Sequence, residues 1–136
     1  MTLGTRSGIH QREIVLVADD DSGTRLLVRS AIDSPLYEVV EASDGHEAWI
    51  VIKARRPVVV LLDVAMSGRT GLDLLAAIRA DGALRGTQVI ILSGKADQRA
   101  VDAGLLAGAD FYVTKPFSPT DLRDRVTEAI DHQVNW

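Results

Sequence analysis

The chain has 136 residues, a formal net charge of -4 and no cysteine. That length suits one domain with a single core, the missing thiols exclude disulfides and thiolate metal sites, and the acidic balance argues against a nucleic-acid surface. The run Val58–Leu62 is far too short to span a membrane, and the polar opening MTLGTRSGIHQR lacks the apolar middle of a signal peptide, so a cytoplasmic protein without membrane contact is expected.

Residues 1–12 read as a flexible N-terminal arm. A first strand follows at Ile14–Ala18 and runs into Asp19, Asp20 and Asp21. Three adjacent carboxylates repel one another, more strongly as water is excluded, so a strand ending on them needs a reason. Asp21 with Ser22 stands where a first helix begins, its charge suited to a helix N-terminus. Leu27 with Ala31, and Val28 with Ile32, give that helix its apolar face. A weaker strand, Tyr37–Ala42, precedes a second helix marked by Ala48, Val51 and Ile52, with Trp49 as a packing residue.

Val58–Leu62 is the third strand, and Asp63 follows it directly. Thr70 is placed to cap a third helix, with Asp73 three residues on and Leu74, Leu75 and Ile78 facing the core. The Asp81–Gly82 and Gly86–Thr87 pairs read as loop. Val89–Leu92 is the fourth strand, followed by Ser93 and Gly94. Val101 and Leu105 suggest a fourth helix, on which Leu105 and Leu106 read most simply as core. Phe111–Thr114 is the fifth strand and leads to Lys115 and Pro116. Ser118 then caps a last helix that opens on Pro119 and Asp121 and faces inward through Leu122, Val126 and Ile130. Residues 13–132 form the domain, and 133–136 a C-terminal tail.

Strands alternating with helices imply an α/β (βα)5 fold, a parallel sheet with helices on both faces. The continuous apolar strands agree with burial on both sides. Right-handed crossovers leave a few doubly wound orders. In the flavodoxin-like order 2-1-3-4-5, ligands bind at the carboxyl ends of strands 1 and 3, where Asp19, Asp20 and Asp63 fall. Asp63 alone reads as a cap for the next helix. Grouped with Asp19 and Asp20 it calls for a cation, and oxygen donors without His or Cys favour Mg2+, with Mn2+ as an alternative. Lys115 alone reads as a solvated loop lysine, and Ser93 as a turn former. Beside the acids they suit a phosphoryl group held against a nucleophilic carboxylate. Asp63, alone at its strand end, is the better nucleophile; Asp19 and Asp20 are the natural metal pair. His10, His46 and His132 are too scattered to form a metal or phosphotransfer site.

The stretches VLVADDD, LLDVAM, LSG and FYVTKPFSP, in this order and at these spacings, resemble the receiver domain of bacterial two-component response regulators. The resemblance implies that a histidine kinase or histidine phosphotransfer protein phosphorylates Asp63 with Mg2+. It implies that Asp20 ligates the ion directly, Asp19 largely through water, and Ala65 by its backbone carbonyl. Ser93 and Lys115 would bind the phosphoryl oxygens, helped by the Ala65 and Gly94 amides. Ser93 and Tyr112 would form the switch, although strand propensity alone also explains Tyr112. The output would be the face of helix 4, strand 5 and helix 5, engaging an effector protein or a second copy, with no direct nucleic-acid binding by this chain. Positions 65 and 95 tune acyl-phosphate hydrolysis in such domains, and Ala65, without a polar side chain, implies a slow rate.

Two residues depart from the pattern. Ser67 replaces the usual proline after the methionine, which leaves the geometry of that loop open, and Thr70 replaces a frequent aspartate. A haloacid-dehalogenase-like phosphatase is the enzyme alternative, but DDDSG ends on glycine where its motif needs Thr or Val, and it needs an acidic pair on a further strand after the lysine and a cap for the substrate, where only a last helix is expected after Lys115. A phosphorylation-independent interaction module would lack an acid or the lysine. A flavin-binding relative would place its phosphate against Asp19–Asp21, which would repel it. Whether the chain acts alone or as one domain of a longer regulator stays open.

Overall fold

A computed structural model describes residues 12–134. Most of the expected arm, with His10, and Trp136 at the end of the tail lie outside the described residues. The elements alternate as read: β1 Glu13–Ala18, α1 Ser22–Ile32, β2 Tyr37–Ala42, α2 Gly45–Arg55, β3 Val59–Asp63, α3 Gly71–Ala80, β4 Gln88–Ser93, α4 Gln98–Leu106, β5 Phe111–Thr114 and α5 Pro119–Val134. A 3-10 turn at Gly82–Leu84 joins α3 to β4. α5 continues two residues past the expected domain end at 132.

All strand pairs are parallel, in the order β2-β1-β3-β4-β5. Each central strand divides its side chains between two cores, which is why its sequence is apolar throughout. Leu16, Val60, Leu62 and Ile91 point to one face and pack with Ile52 of α2 and Leu74, Leu75 and Ile78 of α3. Val15, Val17, Leu61 and Leu92 point to the other, against Val28 and Ile32 of α1 and Leu122 and Val126 of α5. β2 is an edge strand with only Tyr37 and Ala42 buried, hence its weaker apolar signal.

Caps set the helix starts. Asp21, Asp44, Thr70 and Asp97 each accept a backbone N–H three residues on, and Thr70 with Asp73 closes the expected capping box. Ser118 Oγ accepts from the Asp121 amide at the start of α5. The end of α1 is closed by side chains: the Tyr37 hydroxyl donates to the Ile32 carbonyl and Arg123 to that of Ala31. Arg79 of α3 donates to the carbonyls of Thr87 and Gly108 and pairs with Asp110, tying α3 to both neighbouring loops.

Two expectations fail. Leu27 is 62% exposed: the stripe of α1 that packs inward runs through Val28, Ala31 and Ile32, and residue 27 stands about 100° round the helix from Val28. Leu105 and Leu106 are not core: they are 43% and 88% exposed. α4 covers the sheet edge at β5 and turns Gly104 inward, where a Cβ would stand 2.8 Å from Ile91 Cδ1 and 3.1 Å from the Tyr112 ring. A helix that rests on its glycine leaves its leucines outward, and periodicity alone could not separate this face from a core stripe.

Candidate phosphoryl and metal site at the carboxyl edge of the sheet

The winding reverses between β1 and β3, so the loops after them diverge and leave a crevice at the strands' carboxyl ends. Asp19 directly follows β1 and its amide donates to the Ala42 carbonyl, extending the ladder by one residue. Asp63 closes β3. Asp19 is fully buried, Asp63 is 7% exposed and Asp20 is open to solvent. One oxygen from each of the three lies within 4.8 Å of the others.

Lys115 follows β5 and reaches across the crevice. Its Nζ donates to Asp19 Oδ2 at 2.8 Å and to Asp63 Oδ1 at 3.3 Å. Burial works against the ammonium charge, but the Asp19 bond and charge, then those of Asp63, outweigh it and hold the lysine pKa above its usual value. The Asp21 amide donates to Asp19 Oδ1 at 2.9 Å, so both Asp19 oxygens are engaged. Arg25 NH1 donates to the Asp19 carbonyl at 2.7 Å while its Nε pairs with Glu41. The repulsion that a triple aspartate threatens is therefore offset by the Lys115 ammonium and the Asp21 amide.

The three carboxylates outnumber the one ammonium beside them, which suits a divalent cation. The donors are all hard oxygens, as Mg2+ prefers. Oxygens on one octahedral Mg2+ lie roughly 2.9 to 4.2 Å apart, so the 4.8 Å spread needs only a small closure or an intervening water. Asp20 has no hydrogen bond or ion pair among the described residues and is the readiest direct ligand. Asp19, engaged at both oxygens, is better suited to hold an ion through water.

Ser93 ends β4 and is buried; its Oγ accepts from the Lys95 amide at 3.1 Å. The Lys95 carbonyl in turn accepts from the Tyr112 hydroxyl at 2.8 Å. Ser93 and Tyr112 are thus joined through the backbone of one loop residue. A Cβ at Gly94 would meet nothing within 4 Å, so the space beside its α-carbon is open. Ala65 is exposed in the loop after Asp63. Asp21 stands apart as the α1 cap, its side chain turned to Thr24. His46 lies on α2, outside the acid group, and His132 near the end of α5.

Arg25 and Glu41 were not legible as site residues. An arginine in the first turn of a helix and a glutamate on an edge strand are ordinary surface residues until the fold sets Arg25 against the Asp19 carbonyl and Glu41 against Arg25.

Comparison with known proteins shows the family and the fold. Residues 15–127 match the response regulator receiver domain family. The phosphate regulon transcriptional regulatory protein PhoB of Pseudomonas aeruginosa is 34% identical over 112 residues, 82% of this chain and 49% of that protein. The DNA-binding response regulator MtrA of Mycolicibacterium smegmatis is 35% identical over 115 residues, 85% of this chain and 49% of that one. This chain spans about half the length of these curated relatives. The receiver domain of the Francisella response regulator 1452 superposes with a TM-score of 0.81 at 31% identity, covering 92% of this chain and 100% of that one.

Proposed function

This chain belongs to the response regulator receiver domain family, and from that premise we propose that it accepts a phosphoryl group on Asp63 from a histidine kinase or a histidine phosphotransfer protein. The observation that carries the reading is the Lys115 ammonium fixed between Asp19 and Asp63, with Asp20 open beside them. An Asp63 oxygen attacks phosphorus as the bond to the donor imidazole breaks; the electron pair leaves with the imidazole, and Asp63 becomes a mixed anhydride. Mg2+, when bound, neutralises charge on the phosphoryl oxygens. Asp20 would hold it directly, with Asp19 through water and with Asp63 and the Ala65 carbonyl.

As Asp63 is phosphorylated, Lys115 exchanges a carboxylate partner for a phosphoryl oxygen, and the Ser93 hydroxyl and the Ala65 and Gly94 amides supply further donors. Ser93 gives up the Lys95 amide to do so. That movement reaches Tyr112 through the Lys95 carbonyl, and so couples the site to the face of α4, β5 and α5. Leu105 and Leu106 present apolar surface there for an effector or a second copy. Ala65 offers no side-chain group to orient an attacking water, so the anhydride hydrolyses slowly. Function in the cytoplasm is part of the same reading.

Incubation with a small acyl phosphate and Mg2+ tests it. Wild type is expected to gain one phosphoryl group, and Asp63→Asn or chelation of the metal to prevent it. Equal labelling of the Asn variant sinks the reading. The phosphatase alternative needs Asp19 as its nucleophile, and both Asp19 carboxylate oxygens are engaged, by the Asp21 amide and by Lys115.

A further inference from the structure

The segment between β3 and α3, residues 64–70, carries Ala65 past the acid crevice and has Ser67 where a rigid proline is usual. It is nevertheless fastened to the first turns of α2. The Gly45 amide donates to the Ser67 carbonyl at 3.1 Å. A Cβ on Gly45 would lie 1.8 Å from the Arg69 carbonyl oxygen and 2.6 Å from its amide nitrogen, so the two backbones touch and only glycine fits. Gly68, at φ 75, is packed against the His46 ring. The Arg69 guanidinium lies over the Trp49 ring, 5.0 Å from its centroid, while Lys53 approaches the same ring at 5.6 Å. Trp49 itself packs on the core cluster that holds the buried Met66 of this loop.

We propose that Arg69 and Trp49 are positioning residues for the metal site: their stack, with the Gly45–Ser67 bond, holds the loop so that the Ala65 carbonyl is presented to Mg2+ without a proline. This rests on the receiver reading above. Neither side chain touches the ion or the phosphoryl group. A loop freed from α2 spreads over many backbone states, only some of which offer the carbonyl, and apparent metal affinity falls by that fraction. The Trp ring attracts a cation, so a lysine at residue 69 keeps a charge over the ring that a glutamine lacks.

The test titrates Mg2+ alone, without phosphodonor, into wild type, Arg69→Gln and Arg69→Lys, and follows exchange of the Gly45 amide in the metal-free proteins. Arg69→Gln is expected to raise the Mg2+ Kd about three- to ten-fold and to speed Gly45 exchange, while Arg69→Lys stays close to wild type in both. A Kd in Arg69→Gln equal to wild type overturns the proposal, as does a Lys variant as weak as the Gln variant. Wild type that binds no Mg2+ removes the receiver reading along with it, so the two failures are distinguishable.

Discussion

Asp19 has both carboxylate oxygens engaged before any ligand arrives, whereas its neighbour Asp20 has neither, and Asp21 is spent on capping α1. Three identical side chains in a row thus have three environments, set by strand alternation and by the start of a helix. Asp20→Ala is expected to reduce Mg2+ affinity by more than tenfold in a direct titration. Asp21→Ala should leave it unchanged, because the brace on Asp19 is the backbone amide of residue 21. It should lower the midpoint of a urea titration through the lost cap. The Thr24 hydroxyl and amide hold the Asp21 carboxyl below its usual value of 3.8. A depressed folded pKa contributes stability that is present above the unfolded value and lost as pH falls through the folded one. Acid unfolding below pH 3.8 should therefore be shallower in Asp21→Ala than in wild type. At Ala65 the expected change is kinetic: Ala65→Asn gives an attacking water a hydrogen-bond partner and shortens the phosphoprotein half-life. An unchanged half-life would remove the argument from the small side chain.

Gly71 opens α3, where a Cβ would stand 2.4 Å from the Asp63 carbonyl oxygen and 2.9 Å from Val64 Cα. Both neighbours are backbone and cannot swing aside. Gly71→Ala is expected to cost about 1–3 kcal/mol of stability in a urea titration, and to slow phosphorylation by moving Asp63. The same elements mark how far the sequence could be read. β1, β3 and β4 were legible because both of their faces are buried, and the Thr70 and Ser118 caps because short polar residues precede apolar periodicity. α4 was misread, because its inward residue is Gly104 and its leucines face out. The acids and Lys115 could be placed from strand ends alone. The α2 contacts of residues 64–70 could not, since nothing local announces that Gly45 and Arg69 touch across 24 positions of chain.

Across the whole molecule, the two cores fix five strand ends on one edge, and that edge gathers every group proposed for the chemistry. No helix among the described residues is long and apolar enough to cross a membrane. Under the proposed function, the link from Ser93 through Lys95 to Tyr112, whose ring lies beside Gly104 of α4, would carry one covalent event in the crevice to the helix that exposes Leu105 and Leu106. Since the chain spans about half of its curated relatives, the partner on that face belongs to experiment. The most direct test of the account is to locate the phosphoryl group. Protein treated with a small acyl phosphate and Mg2+ is reduced with borohydride, which converts an aspartyl phosphate to homoserine, and is mapped by mass spectrometry. Conversion at Asp63 alone is the expected result; conversion at Asp19 or Asp20, or at no aspartate while Mg2+ is bound, would contradict it.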